Sequence, residues 1–269
     1  GAYLNDGLNG IDSGHVRVFK TGISTEPYVF NSREDLDKAV RSWISERDTA
    51  VKTYGDINTW DVSQITDFSS LFYGQTTFNS DISNWNVSNG KNFAEMFSNG
   101  NSDGGSYENQ MEFNQDIGNW DVSKGEDFTG MFYNASSFDQ DISNWDVSSG
   151  KNFNRTFQNA SSFNQNIGNW DLSSATNFDS MFRRATSFNQ DIGNWDVSSI
   201  KTFEWCFTEA TSFNQDISSW NVSSSEDFIG MFAGAINFNQ DIGNWDVSKG
   251  TDFRYMFTEA TSFNQDISS

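Results

Sequence analysis

Apolar residues in this chain fall on a lattice of 25. A Phe opens each unit at positions 113, 138, 163, 188, 213, 238 and 263, and the stretch FNQDIGNWDVS at 113–123 returns behind it with small changes. A fixed period in this range marks stacked repeats, each a unit too small to bury its apolar face alone. Within a unit, Ile117, Trp120 and Val122 have the L-x-x-L-x-L spacing of a leucine-rich-repeat strand. Trp120 and Val122 are two apart and point inward, which leaves Asn119, Asp121 and Ser123 outward. Downstream, Phe128, Met131 and Phe132 sit at i, i+3 and i+4, the spacing of a short helix or 3-10 turn, with Ser123 and Glu126 as its cap. The predicted fold class is a leucine-rich-repeat-like solenoid. One parallel β-sheet of short Trp-Asp-Val strands lines one side, with short helices or 3-10 turns on the other.

Ahead of the lattice the pattern changes. Residues 1–31 are rich in Gly, Asn and Asp, with one short strand expected at 15–19. From Ser32 the period turns helical: Leu36, Ala39, Val40, Trp43 and Ile44 form one apolar face, and Ser32 with Asp35 three places on reads as a capping arrangement. An N-terminal helical cap running to about Thr53 would shield the first repeat from water. The division is thus 1–53, N-terminal segment and cap, and 54–269, repeats, with an insertion (NSDGGSYENQME) at 101–112 and an incomplete last unit. The chain opens at Gly1 without a Met and stops part-way through a repeat, so it reads as a fragment of a longer polypeptide.

Composition then narrows the chemistry. Among 269 residues there are 26 Phe and 10 Trp, so the core is built from rings. The net charge of −21 excludes the basic surface that nucleic acid requires. It also disfavours anionic membrane and favours cations and basic partners. No apolar run approaches the roughly 18 residues that span a bilayer, and no basic-then-apolar leader opens the chain. Cys206 occupies the slot of Met131, Met181, Met231 and Met256, as a buried Met substitute. The sole histidine, His15, lies outside the repeats, which removes histidine triads and His-cluster metal sites. No phosphate-cradling glycine motif appears, and carboxylate pairs recur in every unit rather than in one cleft. The chain is not expected to be an enzyme or to need a cofactor.

Stacking in register would turn single positions into ladders. The residue after Trp gives Asp61, Asn86, Asp121, Asp146, Asp171, Asp196, Asn221 and Asp246. Like charges about 4.8 Å apart repel by roughly 0.9 kcal/mol in water, so the row wants compensation. One reading is a bound hard cation, calcium, on Asp121, Asp146, Asp171 and Asp196; the other is local Asx hydrogen bonding to backbone N–H groups. Asn86 and Asn221 keep the acceptor and lose the charge, which favours the second. The same swap puts Asn166 among Asp116, Asp141, Asp191, Asp216 and Asp241, and Asn114, Asn164, Asn189, Asn214 and Asn239 read as a stacked amide ladder broken by Asp139. The candidate binding face comprises Asn119, Asp121 and Ser123 with their counterparts Asn144, Asp146, Ser148, Asn169, Asp171, Asn194, Asp196 and Asp246. Loops on scaffolds often carry function, which adds Asp103, Tyr107 and Glu108 of the insertion. Sequons fall at Asn86, Asn134, Asn154, Asn159 and Asn221, candidates for glycosylation.

The unit FNQDIGNWDVS…DFTGMFYNA resembles the 25-residue repeat of BspA-like surface proteins, a branch of leucine-rich repeats, and residues 32–72 resemble the capping region that precedes it. The resemblance covers roughly 29–269. Departures are the insertion, Phe at Phe128-type sites, and Thr156 and Cys206 where Met is usual. It implies a right-handed solenoid, an extracellular or cell-surface location, and adhesion or recognition of a protein or glycan on another surface, with no catalytic residues. A structural subunit joined end to end into a filament or coat is the alternative.

Overall fold

The computed structural model describes residues 26–100 and 110–268. Two helices lead. Helix α1 spans Arg33–Ser45, and Ser32 caps it: its Oγ accepts from the Asp35 N–H and donates to the Asp35 carboxylate. Leu36, Ala39, Val40 and Trp43 are buried as the apolar stripe predicts, while Ile44 stays exposed. The chain breaks at Glu46 (φ −143°, ψ 57°) and resumes as α2, Arg47–Tyr54. The pair lies against the first coil. Trp43 meets Trp60 edge-on at 5.8 Å, and the Arg33 guanidinium donates to the Asp67 and Ser69 carbonyls at 3.0 and 2.6 Å.

The coils behind the cap stack in register, but not as a sheet. Among the described residues there is no β-strand, and beyond residue 54 no α-helix, only a 3-10 turn at Ile57–Thr59. The expected solenoid with a parallel sheet of Trp-Asp-Val strands is therefore overturned. The alternation was read correctly, since Trp120 and Val122 are buried and Asp121 is exposed. The segment fails to pair because two turns clamp it. The Trp120 N–H returns to the Ile117 carbonyl at 3.1 Å and the Gly125 N–H to Val122 at 2.7 Å. The Ser123 hydroxyl donates to the Asp121 carboxylate at 2.6 Å and the Glu126 N–H goes to the Lys91 carbonyl at 2.7 Å, so Ser123 does not cap a helical turn with Glu126.

Backbone pairing lies instead in the segment expected to form a short helix or 3-10 turn. The N–H groups of Phe128, Gly130, Phe132 and Asn134 donate to Asn152, Asn154, Thr156 and Gln158 of the next coil at 2.8–3.0 Å. The intervening Met131, Tyr133 and Ala135 N–H groups close i→i+3 turns within their own coil at 3.0–3.1 Å. Gly130 (φ 55°) and Asn134 (φ 61°) adopt the left-handed conformation. That alternation breaks both an α-helix and an extended ladder, leaving one parallel bridge per coil, such as Asp127↔Asn152.

The interior is a set of ring columns. Phe132 stacks on Phe157 at 5.6 Å and 8°, Phe138 on Phe163 at 6.0 Å, and the two columns mesh within a coil at 3.9 Å between Phe132 and Phe138. Trp145 and Trp170 lie parallel at 6.4 Å and 4°. In the stacked indole column from Trp85 onward, each indole also reaches back one coil: Trp145 Nε1–H donates to the Ile117 carbonyl (3.0 Å) and Trp170 to Ile142 (3.2 Å). In the Met slot, Cys206 is buried, and the Thr156 hydroxyl is satisfied by the Phe128 and Phe153 carbonyls at 3.1 and 2.8 Å. No helix among the described residues is long and apolar enough to cross a membrane.

Candidate functional site

The outward residues of the Trp-Asp-Val segment come together as one polar row. Asn119, Asp121, Asn144, Asp146, Asn169, Asp171, Asn194, Asp196 and Asp246 are exposed, with Ser123 and Ser148 half-buried beside them. A local rule fixes each carboxylate. Oδ1 of Asp121, Asp146, Asp171, Asp196 and Asp246 accepts the N–H of the serine two residues on, at 3.0–3.1 Å. In the first two the serine hydroxyl adds a bond of 2.6 Å. Asn86 and Asn221 make the same contact to Ser88 and Ser223 at 3.2 Å through their amide oxygens.

These bonds set the electrostatics. The serine hydroxyl, then the serine N–H, holds Asp121, Asp171, Asp196 and Asp246 below the usual carboxylate range. Repulsion along the row enters at Asp196, where Asp171 is the last and smallest influence. Hydrogen bonding therefore outweighs the ladder's self-repulsion. Among the described residues no three His, Cys, Asp or Glu side chains are grouped to hold a metal ion.

Two further columns follow the same logic. Asp116, Asp141, Asn166, Asp191 and Asp241 accept the N–H two residues on at 2.9–3.0 Å. The amide column instead joins coils. Asn114 Oδ1 accepts the Asp139 N–H and Gln140 Nε2, and Asp139 Oδ1 then accepts the Asn164 N–H and Gln165 Nε2, all at 2.8–2.9 Å. In these contacts the column residue is only an acceptor, which is why a carboxylate fits at Asp139.

The sequons separate by geometry. Asn134 and Asn159 donate Nδ2 to Asn99 O and Asn134 Oδ1, each at 2.6 Å, and Asn154 donates to Asp179 at 2.9 Å. Asn159 is buried. Asn86 and Asn221 are exposed with only the amide oxygen engaged in these turns. Asp103, Tyr107 and Glu108, and the strand expected at 15–19 with His15, lie outside the described residues. Burial pushes the Cys206 thiol up, away from nucleophilic thiolate.

The sequence reading missed the left-handed columns. Ser70, Glu95, Gly130, Arg155, Ser180, Trp205, Gly230 and Tyr255 all have φ between 53° and 62°. The glycines were a readable signal, diluted by the larger side chains.

Comparison with known proteins gives one match. A family model described as Mycoplasma protein of unknown function, DUF285, matches the chain three times, at residues 34–149, 101–204 and 178–269. No curated protein and no solved structure matches it.

Proposed function

The chain belongs to the family described as Mycoplasma protein of unknown function, DUF285, and on that basis we propose that it is a non-catalytic recognition scaffold displayed at a cell surface. The observation that carries this reading is the row of exposed carboxylates, each fixed through Oδ1 by its own serine. A partner that meets such a row loses little freedom in the protein on binding, because the side chains are already ordered. With a net charge of −21 the matching surface is basic. The likeness of the coil to the BspA-like repeat supports placement at a surface and a role in adhesion.

The amide substitution separates contact from fold. Asp121→Asn, Asp146→Asn and Asp171→Asn copy the residues at Asn86 and Asn221, so the triple variant keeps its Asx turns. Retention of the full chain on immobilised basic protein, poly-lysine being the simplest probe, should drop by tenfold or more. Unchanged retention would remove the row from the binding surface. Head-to-tail assembly into a filament is less favoured, because α1 and α2 occupy the face of the first coil through Trp43 and Arg33.

A further inference from the structure

We infer a second binding surface, separate from the carboxylate row: an aromatic shelf made by Trp205 and Tyr255 that takes an uncharged sugar ring. Both residues stand in the left-handed column, Trp205 at φ 53° and Tyr255 at φ 62°. Bulky L-residues rarely adopt that conformation, and doing so costs about 1–2 kcal/mol. The same column holds Ser70, Gly130 and Ser180, so the stack does not require a large ring there.

The neighbouring coil makes room for the indole. A Cβ added at Gly230 would meet Cζ3 and Cε3 of Trp205 at 2.0 and 2.1 Å, so the ring lies directly across that glycine. Beyond it, Tyr255 comes within 6.2 Å of the indole at 20°, two coils away in sequence, and is 60% exposed. Trp205 Nε1–H donates to Glu204 Oε1 at 2.9 Å, which fixes the indole's rotation.

The polar groups around the shelf carry both signs. Glu204 is held above the usual carboxylate range by burial first and then by Asp179, Asp227 and Asp252. Arg183 places its guanidinium 5.7 Å from the indole centroid, and its Nε is buried without a hydrogen-bond partner. Arg254 pairs with Asp252 at 2.7 Å.

An aromatic face takes the C–H face of a pyranose, while carboxylates accept and guanidinium groups donate hydrogen bonds to its hydroxyls. A cationic ligand would meet Arg183 already over the indole ring, and an anionic one would meet a chain of net charge −21. Both charge signs at the rim fit a neutral or N-acetylated sugar.

The test uses the full 269-residue chain on immobilised neutral glycans: chitin oligomers, cellulose, β-galactan and mannan, with heparin and poly-lysine as charged controls. Trp205→Ser copies Ser180 and removes the shelf. Gly230→Ser copies the same column residue and drives the indole off its seat without deleting it. Retention on at least one neutral glycan is expected for the unsubstituted chain, with a tenfold or greater loss in both variants while each still unfolds cooperatively, Gly230→Ser at a lower melting temperature because Gly230 has φ 56°. The Asp121/Asp146/Asp171→Asn triple variant should be retained as well as the parent, since the shelf does not depend on the row. Absence of retention on all four glycans, equal retention by both shelf variants, or retention on poly-lysine that those variants abolish would each overturn the proposal.

Discussion

Two halves of one coil solve the same problem in opposite ways. Across residues 114–125 the turns and the Asx pairs consume backbone donors within the coil, and side chains join the units: Trp145 to Ile117 and the amide column. Across 127–135 the backbone joins the units through four N–H groups per coil, as at Phe128, Gly130, Phe132 and Asn134. Where side chains are the glue, the sequence hardly varies and Trp-Asp-Val-Ser recurs. Where the backbone is the glue, outward side chains are released, and Ser, Glu, Gly, Arg, Trp and Tyr all occupy one column. Ladder-side residues are thus doubly constrained, whereas turn-side residues are free to specialise from coil to coil.

The contrast breaks most visibly at a tryptophan. Trp170→Ala removes a buried indole and its bond to Ile142 and should cost about 3–5 kcal/mol. Trp170→Phe keeps most of the ring but leaves the Ile142 carbonyl unpaired, for about 1–3 kcal/mol. Urea unfolding measures both. A Phe variant indistinguishable from the parent would show that packing alone, not the side-chain bond, joins the coils on that side.

Acid addresses the whole carboxylate row at once. The folded pKa values of Asp121, Asp171 and Asp196 lie below the unfolded value of about 3.9. Each group therefore stabilises the fold above the unfolded pKa, and that contribution disappears as pH falls through the folded value. Glu204 acts in reverse, since its raised folded pKa is a penalty at neutral pH that protonation relieves. Exposure screens each aspartate, so the expectation is a melting temperature level from pH 7 to about 5 and falling below about 4. A melting temperature that rises on acidification would mean that repulsion, not serine bonding, dominates the row.

A single Asx turn gives a smaller and sharper test. Asp146→Ala loses the bonds to the Ser148 N–H and hydroxyl and should cost about 1 kcal/mol. Asp146→Asn keeps the acceptor and should fall within about 0.5 kcal/mol of the parent, as the natural residues at Asn86 and Asn221 imply. Equal losses for Ala and Asn would assign the stabilisation to charge.

The period, the buried alternation of Trp120 and Val122, the ring-built core and the Ser32 cap were all legible, because each is a matter of which side chain faces inward or caps a backbone donor. The assignment of backbone pairing was not. An i, i+3, i+4 pattern such as Phe128, Met131 and Phe132 arises from an α-helix or from consecutive i→i+3 turns, and burial is the same in both. Only backbone sign separates them, and its traces, Gly130 and Asn134, are replaced by Arg155 and Arg184 in other coils. The acceptor role of the row was readable from the Asp-to-Asn swaps. The shelf was not, since Trp205 and Tyr255 stand 50 residues apart and only the seat at Gly230 relates them.

That freedom on the turn side predicts a substitution whose sign is opposite to all the others. Arg155 sits at φ 57° and is exposed, and its backbone N–H is already held by the Asp179 carbonyl at 2.9 Å. Arg155→Gly removes the Cβ strain of the left-handed conformation, which is worth about 1–2 kcal/mol, and adds back conformational entropy to the unfolded chain, about 0.4–1 kcal/mol. The net expectation is a gain of about 0.5 kcal/mol, read as a rise in the urea midpoint at constant slope. A comparable loss would mean that the side chain, and not the backbone, carries the contact between coils at this position. The division between the two halves of the coil would then fail where it is easiest to test.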